Sequence, residues 1–167
     1  MGVVGSRLTA ELFVRKGFTV KYVGDFYTPN DTKIDVTLSG CGYDVPDAYI
    51  ISYPLVDDLR EVKMQIKGCD VVIAHKSMEI FSKACYDLGI PFMPNFITFF
   101  LPDSVRFWEV EIPTIDYDAL IYTVTCALQV NETVKLLKGE EVTIAPKAII
   151  VDLKGDLIKV MNLKILR

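Results

Sequence analysis

MGVVGSRLTAELF at residues 1–13 carries the most specific local pattern of the chain. Gly2 and Gly5 have the spacing of the last two glycines in G-x-G-x-x-G, the turn that holds phosphates in nucleotide-binding α/β folds. In this interpretation the first glycine of the motif, and the central strand before it, lie upstream of Met1. We therefore expect a sheet whose first strand is missing from this sequence, with an unusual closure of the sheet as the alternative.

The residues after the glycines fit the rest of that fingerprint. Residues 6–16 predict a helix, and Gly17 is a typical residue just past its end. A predicted strand over residues 18–25 then ends in Asp25, about 20 positions after Gly5, where such folds place the acid that binds ribose. Glycine lets the backbone approach a phosphate, and a helix start offers it free N–H groups. The pattern predicts a nucleotide site, with a ligand-free tight turn as the alternative.

Strands and helices alternate through residue 96, and a helix and a hairpin follow. The predicted strands are 48–53, 70–74, 90–96 and an edge strand over 105–112, the predicted helices are 56–67, 78–88 and 116–138, and the predicted hairpin is 147–163. The run at 70–74 is continuous and β-branched, which is typical of a parallel strand covered on both faces. The fold class is therefore α/β: one Rossmann-like three-layer domain over residues 1–167 with a mostly parallel sheet.

Composition narrows the class of protein. Hydrophobic residues make up 51% of the chain, the mean hydropathy is +0.32 and the net charge is −4. Apolar runs stay below the roughly 18 residues that span a membrane, and the acidic balance argues against nucleic acid. We expect a cytoplasmic protein without a signal peptide, whose surplus apolar surface is buried in a homodimer. The cysteines (Cys41, Cys69, Cys85 and Cys126) form no C-x-x-C pair, which argues against zinc.

Polar residues follow two of the predicted strands at their carboxyl ends, where ligands bind in open α/β sheets. Lys33 and Lys76 are the candidate catalytic cations for phosphate, although each also fits a solvated lysine. His75, the single histidine of the chain, is a candidate for the ligand pocket and excludes metal sites built from two histidines. Ser77 is expected to cap the next helix.

VTCALQVNETVKLLKG at residues 124–139 resembles the helix that ends the adenylation domain of ubiquitin-activating-type enzymes. In that family the helix reads A-L-Q-A-x-E-x-x-K-x-L-x-G. DVVI at 70–73, ACYDLGIPF at 84–92 and VDL at 151–153 resemble further family segments. The family includes the activators of the thiamin and molybdopterin sulfur carriers. The resemblance implies a Rossmann-like homodimer that binds ATP, joins AMP to a carboxylate and releases pyrophosphate.

The resemblance also implies roles for individual residues. It puts the two glycines under the phosphates and Asp25 at the ribose. Asn30 and Lys33 stand where the family has N-x-x-R, so lysine keeps the charge but loses the planar fork of arginine. The magnesium-binding aspartate of the family falls on Ser77, so whether magnesium accompanies ATP is left open.

The zinc cysteines and the thioester-cysteine loop of the family are absent. The chain therefore resembles a short branch of the family that acts in biosynthesis of the iron–guanylylpyridinol cofactor of a hydrogenase. That resemblance implies adenylation of a small-molecule carboxylate, which a partner protein then accepts on a reactive thiol. Two alternatives stay open: a nucleotide-binding module without chemistry, and an NAD-dependent oxidoreductase, which the glycines alone suggest.

Overall fold

The computed structural model describes residues 1–24, 50–94, 97–102, 105–113, 118–152 and 158–166. Its helices are α1 (Arg7–Arg15), α2 (Leu59–Ile66), α3 (Met78–Leu88), α4 (Ala119–Leu137) and a 3-10 turn at Phe107–Glu109. Its strands are β1 (Gly2–Val4), β2 (Val20–Val23), β3 (Ile50–Tyr53), β4 (Val72–Ala74), β5 (Phe92–Pro94), β6 (Val110–Glu111), β7 (Lys147–Val151), β8 (Ile158–Asn162) and β9 (Lys164–Ile165). Across these segments, no helix has the length and apolarity to cross a bilayer.

Five parallel strands form the central sheet in the order β3-β2-β1-β4-β5. Val4, the last residue of β1, pairs in register with Ala74, the last residue of β4. The connection reverses direction between these two strands, so their carboxyl ends border the crevice where doubly wound sheets bind ligands. The predicted Rossmann-like, mostly parallel α/β fold is confirmed.

The central strand of the sheet is Gly2–Val4 itself, so the expectation of a missing first strand is wrong. Val3 and Val4 are fully buried, one on each face of the sheet. Gly2 starts the strand because the space beside it is filled: an added Cβ would lie 2.8 Å from Val72 Cγ2. The glycine that sequence reading assigned to a phosphate turn is therefore a strand residue chosen for close packing.

Helices cover both faces of the sheet, as a three-layer sandwich requires. On one face α1 and α4 bury Phe13 and Val130 against the strands. On the other face α2 and α3 bury Ile66 and Phe81. Alternate residues of the short β1 strand serve the two layers, which is why its pattern is continuously apolar.

The C-terminal strands build a smaller third core beside the sandwich. β7 and β8 pair antiparallel from Lys147 opposite Asn162 to Val151 opposite Ile158, which confirms the predicted hairpin. Ala148 and Ile150 pack against Ile97 and Phe99 in this core. The hairpin is a separate two-stranded sheet and does not extend the parallel one.

The edge strand expected over residues 105–112 is mostly replaced by the 3-10 turn, with only β6 remaining extended. A carboxylate oxygen of Glu109 accepts the backbone N–H of Arg106 at 2.8 Å, which closes the turn. The Phe107 ring also packs edge-on against Phe92, with ring centroids 6.2 Å apart. A side-chain cap and one aromatic contact thus override the strand tendency of the alternating pattern. Neither contact can be predicted from the periodicity of the sequence.

Helix α4 buries several polar side chains. Its buried residues are Ile121, Thr125, Cys126, Gln129, Val130, Glu132 and Thr133. Gln129 Nε2 donates to the carbonyl of Pro94 at 3.1 Å. Glu132 accepts the backbone N–H of Thr143 at 2.8 Å. The family-like Q and E positions thus tie the helix to the end of β5 and to the segment before β7.

Candidate functional site

Gly5 forms the turn between β1 and α1. Its φ is +73°, a backbone region that side chains rarely adopt, and its N–H donates to the carbonyl of Val23 at 2.8 Å. Because it directly follows the strand, Gly5 takes the place of the first glycine of G-x-G-x-x-G, not the last. Arg7 and Ala10 then stand at the second and third glycine positions. Ala10 is fully buried and preserves the close packing of the helix on the sheet. Arg7, in contrast, places a bulky cation at the position where dinucleotide-binding folds have a glycine that lets the pyrophosphate approach the backbone.

The amino end of α1 points into the crevice between β1 and β4. Ser6 caps the helix in extended conformation, and its Oγ accepts the backbone N–H of Thr9 at 3.1 Å. The first turn of a helix has N–H groups without intrahelical partners and carries partial positive charge. This geometry is suited to an anionic group above Gly5.

A second turn, formed by His75, Lys76 and Ser77, faces the first across the crevice. The His75 backbone N–H donates to the carbonyl of Val4 at 2.8 Å and extends the ladder beyond β4. The stem of Lys76 crosses over Gly5, since a Cβ on Gly5 would lie 2.6 Å from Lys76 Cγ. The structure therefore brings together two predicted site residues, Gly5 and Lys76.

Ser77 precedes α3 as expected but does not cap it through its side chain. It has φ +49°, the left-handed region, and makes no capping hydrogen bond. Such a conformation is uncommon for a residue other than glycine and carries a small strain cost. It bends the chain sharply after β4, so that Lys76 is directed back toward Gly5 and not along α3.

A buried chain of hydrogen bonds, the Ser6 network, fixes both turns. Tyr122 on α4 donates its phenol to Ser6 Oγ at 2.7 Å, and Ser6 Oγ donates to Thr9 Oγ1 at 2.8 Å. Thr9 Oγ1 lies 3.3 Å from His75 Nε2. Which of the two atoms donates depends on the tautomer of the imidazole, because the Thr9 hydroxyl can both accept and donate. His75 is buried, and this contact of its imidazole supports the turn.

Sequence reading missed Tyr122 and Thr9. Tyr122 and Ser6 are 116 residues apart, and the tyrosine lies one turn before the family-like part of α4. Its ring also packs edge-on against His75, with centroids 5.6 Å apart. Only the packing of α4 over α1 brings these residues together, so no local pattern identifies them.

The described cysteines are poor nucleophiles. Cys69, Cys85 and Cys126 are buried free thiols, and burial raises the pKa of each. Cys126 Sγ lies 3.8 Å from Ser6 Oγ, close to the crevice, but its raised pKa keeps it protonated at neutral pH.

Asp25, Asn30, Lys33 and Cys41 lie outside the described residues. Gly24, the last described residue before them, donates its N–H to the carbonyl of Tyr53 at 3.0 Å, so the chain leaves β2 at the carboxyl edge of the sheet. Within the described ranges, no cluster of three His, Cys, Asp or Glu side chains could hold a metal ion.

Comparison with solved structures identifies the same fold in other proteins. The selenomethionine form of PaaA matches with a TM-score of 0.69 at 12% identity, over 98% of this chain and 64% of PaaA. E. coli MccB with ATP matches with a TM-score of 0.62 at 12% identity, over 96% of this chain and 62% of MccB. The microcin C7 biosynthetic enzyme MccB in complex with N-formylated MccA matches with a TM-score of 0.63 at 13% identity, over 99% of this chain and 65% of that one.

These likenesses show a shared fold, and the chain spans just under two thirds of the length of each of those proteins. No protein-family model matches the sequence, and no curated protein matches it.

Proposed function

We propose that the chain binds ATP in the crevice between β1 and β4 and adenylates a carboxylate. One observation carries the proposal: Gly5, in a left-handed turn at the end of the central strand, lies under the stem of Lys76 and beside the start of α1. This combination offers an anion both helix N–H groups and a cation. The MccB fold, which has been crystallised with ATP and with N-formylated MccA, supports the same class of ligand.

Each residue has a defined task in this proposal. ATP supplies the adenylyl group that is joined to the substrate carboxylate, and pyrophosphate leaves. The α1 start and Lys76 neutralise phosphate charge, and Lys33 is the second cation. Asp25 accepts from the ribose hydroxyls, and Asn30 orients the phosphates. The Ser6 network, which includes His75, keeps the two turns in place, so that binding does not require the site to reorganise.

Arg7 favours ATP over a dinucleotide. The second glycine of the dinucleotide fingerprint allows the backbone to approach a pyrophosphate, and a side chain there obstructs that approach. Arginine at this position instead adds a positive charge beside the phosphates. The NAD-dependent oxidoreductase therefore fits the turn less well than an ATP-dependent enzyme does. The non-catalytic nucleotide-binding module differs from the enzyme only in releasing no pyrophosphate.

The substrate and acceptor follow from the resemblance in α4 and from the cysteines. We infer that the substrate is a small-molecule carboxylate, such as a guanylylpyridinol precursor in cofactor biosynthesis. With Cys69, Cys85 and Cys126 buried, the activated acyl group passes to a thiol of a partner protein, and Cys41 is the one alternative acceptor within the chain. A cytoplasmic homodimer is part of the same proposal, and whether magnesium accompanies ATP stays open because Ser77 replaces the metal-binding aspartate.

Calorimetry with ATP tests the site. Lys76→Ala should weaken ATP binding about tenfold or more, the loss expected when a charge-assisted hydrogen bond is removed. Asp25→Ala should produce a similar loss through the ribose. Lys147→Ala, at an exposed lysine of β7, is the matched control and should bind as wild type does. Unchanged affinity in Lys76→Ala, or tighter binding of NAD⁺ than of ATP, contradicts the proposed site.

Carboxylate-dependent exchange of labelled pyrophosphate into ATP tests the reaction. Exchange should require both the acid and an intact Lys76. Binding of ATP without exchange for any candidate acid would favour the non-catalytic module.

A further inference from the structure

A concave pocket of about 350 Å³ lies at the other end of the sheet from the Gly5 turn. It is enclosed by the last turns of α3, the start of β5 and the segment around the 3-10 turn. Phe92, on its wall, begins β5 and pairs with Val72, the first residue of β4, whereas Gly5 follows the last residue of β1. The pocket is therefore separate from the crevice proposed for ATP, and its volume suits a small organic molecule.

Two large aromatic side chains at the mouth of this pocket are about half exposed to solvent. Tyr86 is 52% exposed and Trp108 is 46% exposed. The guanidinium of Arg106 lies over both rings, with Cζ 5.3 Å from the Tyr86 ring centroid and 5.5 Å from the Trp108 centroid. The two cation–π contacts hold the guanidinium at the pocket, and its N–H groups can still donate.

The charge of Arg106 is not balanced by an acid in the described part of the chain. The carboxylates that follow the two pocket aromatics in sequence are both engaged: Glu109 accepts the backbone N–H of Arg106, and Asp87 is paired with Lys63 at 2.6 Å. None of the ion pairs formed by the described residues includes the Arg106 guanidinium. A planar guanidinium edge of this kind is matched by a carboxylate, which accepts two parallel hydrogen bonds.

One wall of the pocket is apolar and is formed by Phe92, Leu101 and Phe107. The edge-on contact of Phe107 with Phe92 and the Glu109 cap hold the segment that carries Arg106 against the sheet. A ligand would therefore bind without paying to order this segment, and a flat apolar body would replace water against the aromatic wall.

We propose that this pocket is a binding site for a small aromatic carboxylate. The carboxylate receives the guanidinium edge of Arg106, and the ring system lies between Trp108 and the apolar wall. The site is independent of the proposed ATP crevice, so it holds whether or not the adenylation proposal does.

Trp108 is the single tryptophan of the chain, so its indole N–H gives one cross-peak in a proton–nitrogen NMR spectrum and reports directly on this pocket. Titration with 2-naphthoate should shift that peak saturably. The neutral isostere 2-naphthamide should bind at least about tenfold more weakly than 2-naphthoate, because it offers no charged acceptor to the guanidinium. Both titrations use the wild-type chain and need no variant.

Arg106→Gln should weaken 2-naphthoate binding about tenfold and leave 2-naphthamide unchanged. Arg106→Lys should restore little of the lost affinity for 2-naphthoate, since an ammonium lacks the planar guanidinium that forms two parallel hydrogen bonds with a carboxylate. Arg60→Gln, at an exposed arginine of α2 that does not line the pocket, is the control and should bind as wild type. Equal binding of the acid and the amide, an unshifted Trp108 peak, or unaltered affinity in Arg106→Gln would each overturn the proposal.

Discussion

Replacing Glu132 should destabilise the fold more than replacing any exposed acid. Glu132 is 1% exposed, yet its carboxylate accepts two hydrogen bonds, from the Thr143 backbone at 2.8 Å and from Lys135 Nζ at 2.5 Å. Truncation to alanine leaves the Thr143 N–H without its acceptor in a buried place. We expect a loss of about 1.5–3 kcal/mol for that charged hydrogen bond.

The ion pair adds little to this loss, because Lys135 is 38% exposed and water screens it. Glu132→Ala should therefore lower the free energy of unfolding by roughly 1.5–3 kcal/mol, or the melting temperature by about 3–12 °C for a chain of this size. Glu132→Gln keeps an acceptor for Thr143 and should lose about half as much.

Urea unfolding followed by far-ultraviolet circular dichroism measures these differences. Glu140→Gln, at an exposed acid just after α4, is the matched control and should lie within about 0.5 kcal/mol of wild type. If Glu132→Ala is as stable as this control, the hydrogen bond from Thr143 to Glu132 does not stabilise the packing of α4.

Glu132 also makes the free energy of unfolding depend on pH. Burial raises the pKa of Glu132, but the hydrogen bonds from Lys135 and Thr143 outweigh burial and lower it below its ordinary value of 4.5. A lowered folded-state pKa stabilises the fold fully above the unfolded value, and this stabilisation is lost as pH falls through the lowered pKa. Wild type should therefore lose more stability than Glu132→Gln as pH falls from about 4.5 through that lowered pKa.

Two further predictions concern thiols and assembly. Under native conditions Cys69, Cys85 and Cys126 should react slowly with Ellman's reagent, since burial raises the pKa of each, and only unfolding should expose them. Fast reaction of the folded Cys41→Ser variant, which keeps these three thiols, would contradict this. Light scattering at micromolar concentration should give the mass of a homodimer, and a monomer would count against the proposed assembly.

The order of strands and helices could be predicted from the sequence because the determining signals are local. Gly17 and Gly89 end their helices in the left-handed region, and the apolar run at 70–74 contains β4. The position of the first strand was misjudged because Gly2 and Gly5 have motif spacing. Only the packing of Gly2 against Val72 shows that one glycine belongs to the strand and the other to the turn.

The candidate site was predictable only where its residues follow strands directly. His75 and Lys76 come straight after β4, so their place at the carboxyl edge follows from topology. The Ser6 network could not be predicted, because it depends on how α4 crosses α1 more than a hundred residues later. The left-handed turn at Ser77 also leaves no mark in the sequence, since serine is an ordinary helix cap.

The likeness of α4 to ubiquitin-activating-type enzymes lies in residues that hold the scaffold together. Gln129 binds the carbonyl of Pro94, the last residue of β5, and Glu132 binds the backbone of Thr143 before β7. In this chain each contact ties the helix to a different segment, which gives both side chains a role in the scaffold. For the proposed adenylation, Lys76 over Gly5 is where mutation should lower activity without unfolding the chain.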